Sequence, residues 1–80
     1  MPHVVIKMVE GRTDAQKHEI ARRITDLLCE VAVTVPGNVS IAFEDIKGCD
    51  WNEQVNLPCI YGKRETVLKW PDYLPTDEKP

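Results

Sequence analysis

The chain reads as an α+β protein: a single β-α-β subunit with parallel strands, followed by an irregular C-terminal extension. Paired with a second copy, the subunit would complete a four-stranded sheet with two helices on one face. Three observations carry this reading. Two apolar stretches, His3 to Val9 and Val39 to Glu44, have the composition or alternation of strands, and one stretch of helical periodicity lies between them. Strand, helix and strand in that order imply a right-handed crossover between parallel strands. Beyond residue 54 neither period persists.

The first strand is β-branched or apolar from His3 to Val9, interrupted only by Lys7. Val4, Ile6 and Met8 share one face and Val5 and Val9 the other, so both faces are expected to be partly covered. Gly11-Arg12 turns the chain. Thr13-Asp14-Ala15-Gln16 then has the form of a capping box, with the Thr13 hydroxyl and the Gln16 side chain serving each other's backbone N–H. Ile20, Ile24, Leu27, Leu28 and Val31 follow as one helical stripe. Lys17, Glu19, Arg22, Arg23 and Asp26 occupy the other faces, where charges are solvated. Val35-Pro36-Gly37-Asn38 stops the helix.

The second strand alternates large apolar with small or polar residues. Asp50 to Gln54 suits a short helical turn capped by Asp50. From Val55 to Tyr73 the chain is too apolar for a free tail and, with Pro58, Gly62 and Pro71, too broken for a long element. One domain is therefore expected over residues 1–80: a β-α-β core over 1–54, a segment wrapping a subunit over 55–75, and a frayed tail over 76–80.

Eighty residues with a net charge of −3 and interspersed signs show no electrostatic footprint for nucleic acid or an anionic membrane. No transmembrane-length apolar run and no signal-peptide pattern is present, so a cytoplasmic location is expected. Cys29, Cys49 and Cys59 are odd in number and widely spaced, which favours reduced thiols. With His3 and His18 they offer no local chelate spacing, so neither a metal nor a cofactor is expected.

The most informative functional residue is Pro2. Inside a chain its nitrogen is an amide without a proton to exchange. Removal of Met1 makes it a secondary amine. An α-amino group has a pKa of roughly 7.7 to 8.0, and burial or a nearby cation disfavours its charged form, so it can serve as a base near neutrality. Arg12 is a candidate cation. Proline after an initiator methionine is common in its own right, so the following residues must carry the assignment.

They do. Pro2, the run Gly11-Arg12-Thr13-Asp14-x-Gln16-Lys17, a helix ending near residue 35, the Val39 to Ile46 strand and Trp51 together resemble the 4-oxalocrotonate tautomerase family over roughly residues 2–54. The resemblance implies a β-α-β subunit whose processed N-terminal proline is the general base, in a dimer or hexamer. The ending Leu68-Lys69-Trp70-Pro71-Asp72-Tyr73 looks like the dimeric bacterial subgroup associated with phenylpyruvate-type enols. Residue by residue, Pro2 matches the base, Arg12 the arginine that binds a substrate carboxylate, and Trp51 the aromatic pocket wall. Ser40 stands where the 4-oxalocrotonate enzymes place a second arginine, and a hydroxyl cannot grip a second carboxylate bidentately.

The expected function is thus enol–keto tautomerisation of 2-hydroxy-2-enoate or phenylenolpyruvate-type monocarboxylates, with Pro2 catalytic, Arg12, Trp51 and Ser40 binding substrate, and no cofactor. Two alternatives stand beside it. A cationic Pro2 would suit a hydratase, dehalogenase or decarboxylase, and retention of Met1 would leave an oligomeric binding module.

Overall fold

Two strands, β1 (His3–Val9) and β2 (Ser40–Ile46), run parallel, with His3 opposite Ser40 and Val9 opposite Ile46. The helix α1 (Asp14–Val31) makes the crossover between them. The structure, a computed structural model, describes residues 1–74 and divides into two compact units, Met1–Cys49 and another that begins at Asp50. Residues 75–80, including the expected tail, lie outside the described residues.

Within the first unit, side-chain alternation and register set the two faces of the sheet. Val4, Ile6 and Met8 of β1 share a face with Ile41, Phe43 and Asp45 of β2. This is the face α1 covers, as the Lys17 to Asp45 ion pair at 2.6 Å shows. Val5 and Val9 point the other way and are 47% and 39% exposed. Lys7 and Ala42 on that face are nonetheless half-buried and Ile46 is buried, so both faces are partly covered, the valines least.

Gly11 takes φ 127°, a conformation side-chain-bearing residues rarely adopt, and so turns the chain out of β1. The capping box then starts α1: Gln16 N–H donates to Thr13 Oγ1 at 3.1 Å and Thr13 N–H to Gln16 Oε1 at 2.9 Å. The helix ends at Val31 rather than near 35, because Val33 enters the left-handed region at φ 54° before Pro36 is reached. Its inner face carries Lys17, Ile20, Ala21, Ile24, Thr25 and Leu28, all half-buried. Leu27 and Val31, placed in the same stripe by periodicity, are 56% and 72% exposed.

The second unit departs further from the sequence expectation. Its helical run does not stop at Gln54 but continues as a wide, π-type helix over Asn52–Ile60, and the residue at its N-cap is Trp51 rather than Asp50. Pro58 explains the width. In an α-helix its ring would meet the carbonyl of Gln54 and leave that carbonyl without a donor. Widening the turn relieves the clash, and the Cys59 thiol donates to the Gln54 carbonyl at 3.6 Å. A 3-10 segment, Tyr61–Thr66, follows. Among the described residues of this unit Val55, Asn56, Trp70 and Leu74 are buried, with Tyr61 edge-on to Trp70 at 5.9 Å.

No helix among the described residues is long and apolar enough to cross a membrane.

Candidate active site

Pro2 sits half-buried at the head of β1, behind a Met1 that is 96% exposed. Its carbonyl accepts the Ser40 N–H at 3.1 Å, which extends the strand ladder by one step and fixes the proline's peptide. The parallel register also sets His3 beside Ser40, and His3 Nδ1 lies 2.6 Å from Ser40 Oγ. Pro2, His3 and Ser40 thus form one polar cluster at the start of the sheet. Sequence reasoning selected two of its members. His3 escaped it because only the register, not the spacing of 37 residues, makes the two neighbours.

Arg12 lies at the other end of β1. Its Nη1 donates to the Val9 carbonyl at 3.3 Å, seven residues along from Pro2. At about 3.3 Å per residue the two are separated by roughly 23 Å within one chain. The Arg12 guanidinium stands at the lip of an open groove of ≈ 490 Å³ between β1 and the first turns of α1. Met8, Ala15 and Ile20 supply its apolar lining, and Glu19 and Arg23 part of its polar edge. Glu19 is not available to a ligand. Arg22 holds it with two bonds, at 3.1 and 2.6 Å, and Arg23 with a third at 2.6 Å. The hydrogen bonds from Arg22 and then Arg23 lower its pKa to about 2.

Trp51 belongs to the second unit and is held by a chain of side-chain bonds. Its indole N–H donates to Tyr73 Oη at 3.0 Å, Tyr73 donates to Asn56 Oδ1 at 2.8 Å, and Asn56 Nδ2 donates to Asn52 Oδ1 at 3.2 Å. Tyr73 was another contributor the sequence did not mark. No three His, Cys, Asp or Glu side chains among the described residues converge as a metal site requires.

The arrangement places Pro2 with a neighbouring hydroxyl at one end of the strand, and the Arg12 guanidinium beside an apolar groove at the other. Known proteins are similar to this chain in sequence and in fold. The family model for tautomerase enzymes matches residues 2–54. A probable tautomerase of Xylella fastidiosa is 38% identical over 73 residues, spanning 91% of this chain and 89% of that protein. A 2-hydroxymuconate tautomerase of Bacillus subtilis is 32% identical over 47 residues, 59% of this chain and 77% of that one. The crystal structure of YwhB, a homologue of 4-oxalocrotonate tautomerase, superposes with a TM-score of 0.56 at 30% identity, over 57% of this chain and 75% of that one. With more than half of its length matched and the β-α-β unit in place, the chain belongs to the tautomerase family of isomerase enzymes.

Proposed function

We propose that the protein is a cofactor-independent enol–keto tautomerase acting on 2-hydroxy-2-enoates with one carboxylate, of the phenylenolpyruvate type, and that Pro2, freed by removal of Met1, is its general base. The observation that carries this reading is the setting of Pro2: half-buried, anchored through its carbonyl by Ser40, and directly preceded by an accessible methionine. An enol of a 2-keto acid has an acidic hydroxyl proton and a nucleophilic carbon conjugated to it. The Pro2 amine takes the proton from the oxygen and returns it to the carbon, so one O–H bond is exchanged for one C–H bond and the amine ends as it began.

Arg12 binds the carboxylate. Because β1 holds it roughly 23 Å from the Pro2 of its own chain, a site using both draws them from different copies. Self-association is therefore part of the function, and a homodimer is the simplest assembly that provides it, a hexamer the next. Trp51 contributes an apolar wall. Ser40 offers a hydroxyl where a dicarboxylate would need a second cation, which favours monocarboxylates.

Steady-state kinetics on phenylenolpyruvate and 2-hydroxymuconate test the reading, alongside an intact mass showing loss of methionine. A variant with one residue inserted before Pro2 should lose about 10² to 10⁴ in kcat, the usual worth of a general base. Arg12→Ala should lower kcat/KM about 10- to 100-fold through loss of a charge-assisted anchor. Turnover by the blocked variant equal to that of processed protein would remove Pro2 as the base.

A further inference from the structure

We propose that His3 and Ser40 together form the subsite for the reacting oxygen of the substrate, with His3 as a positioning residue. In this arrangement His3 Nδ1–H donates to Ser40 Oγ, and Ser40 Oγ–H donates to the oxygen on the carbon next to the carboxylate. The inference rests on the tautomerase reading above and names the group that stabilises the oxygen while Pro2 carries the proton from it to the carbon.

Geometry supplies the first argument. In an enol of a 2-keto acid the oxygen and the carbon that exchange the proton are attached to, or are, adjacent carbons. Whatever binds the oxygen must stand within a few ångströms of the base. The backbone of Ser40 adjoins the base's own residue, its N–H donating to the Pro2 carbonyl at 3.1 Å. Register then places His3 beside Ser40 on the same face of the sheet, with Nδ1 to Oγ at 2.6 Å.

Chemistry supplies the second. As Pro2 removes the enol proton, negative charge grows on the oxygen, and a donor already aimed there lowers the barrier. A lone serine hydroxyl on an exposed strand rotates among several directions. A ring N–H donating to its oxygen fixes the lone pairs, directs the O–H outward and polarises it. The pair is uncharged in this form, so it suits a hydroxyl or keto oxygen and not a second carboxylate, which requires a guanidinium. Substrates with one carboxylate and a neutral far end follow as the favoured class.

Kinetics and spectroscopy of processed, full-length protein test it. On phenylenolpyruvate, His3→Ala and Ser40→Ala should each lower kcat by about 10- to 100-fold with KM changed less than about twofold, because the bond strengthens only as charge develops. The double variant should be no worse than Ser40→Ala, since His3 acts through Ser40. His3→Asn, whose amide N–H occupies the place of Nδ1–H, should recover most of the loss. Long-range ¹H–¹⁵N spectra should show His3 as the Nδ1-protonated tautomer, and Ser40→Ala should release it to a mixture. Wild-type kcat in His3→Ala, an Nδ1 that proves to be the unprotonated nitrogen, or additive losses would each overturn the subsite while leaving Pro2 as the base. Absence of turnover by the wild-type protein on any 2-hydroxy-2-enoate would instead overturn the tautomerase reading and the subsite with it.

Discussion

Val33 holds φ 54° with its side chain 86% exposed. A β-branched residue in the left-handed region is strained by roughly 1–2 kcal/mol, and nothing in its exposed surroundings offsets that. The position is the second after the last helical residue, where glycine or asparagine commonly closes a helix. Val33→Asn should therefore raise stability by about 1 kcal/mol in urea unfolding at fixed protein concentration, with kinetics unchanged. Glu19 makes a second residue-scale prediction. Its folded pKa, about 2, lies below the ordinary carboxylate value of 4.5, so the folded state binds fewer protons between those values. The stabilisation it provides is present above the unfolded pKa and is lost as pH falls through the folded one. The Tm difference between wild type and Glu19→Gln should accordingly shrink from pH 4.5 towards pH 2. Because the cluster is exposed, 1 M salt should shrink it too.

At the scale of elements, the parts set by local chemistry were legible. The capping box, both strands and the Gly11 turn follow from residues within a few positions of one another. Those set by register or by a distant partner were not. Proline and glycine, the strongest written stop signals, put the end of α1 at Val35-Pro36, yet a valine in an unfavourable conformation ends it earlier. Pro58 likewise signals a break, whereas the chain passes it by widening the helix. Arg12 and Pro2 were recognised individually, but their separation depends on where the turn leaves the guanidinium. The bond network around Trp51 has its own prediction. Tyr73→Phe removes the donor to Asn56 Oδ1, an acceptor on a residue only 7% exposed, and the acceptor for the Trp51 indole. A loss of about 1–3 kcal/mol, the usual penalty for an unsatisfied buried polar group, should appear in denaturation together with a change in near-ultraviolet circular dichroism.

For the molecule as a whole, burial argues for association. No residue of α1 is fully buried, and Val5, Val9, Leu27 and Val31 stay exposed on the first unit. Complete burial of such side chains yields about 1.5–3 kcal/mol each, which a single chain leaves unused. Both strands of a two-stranded sheet also present an open edge. Sedimentation at micromolar concentration should give about twice the chain mass of 9.1 kDa, and a persistent monomer would contradict the assembly reading.

The length of β1, which keeps Pro2 and Arg12 apart, has a genetic counterpart. If each site takes its proline from one copy and its arginine from another, two inactive alleles can rescue one another. Protein blocked at Pro2 and protein carrying Arg12→Ala, unfolded together in equal amounts and refolded, should pair at random into dimers of which about half are mixed. Each mixed dimer carries one site with both defects and one with neither. Recovered activity should then plateau at about a quarter of the wild-type value, whereas sites confined to a single chain would give none.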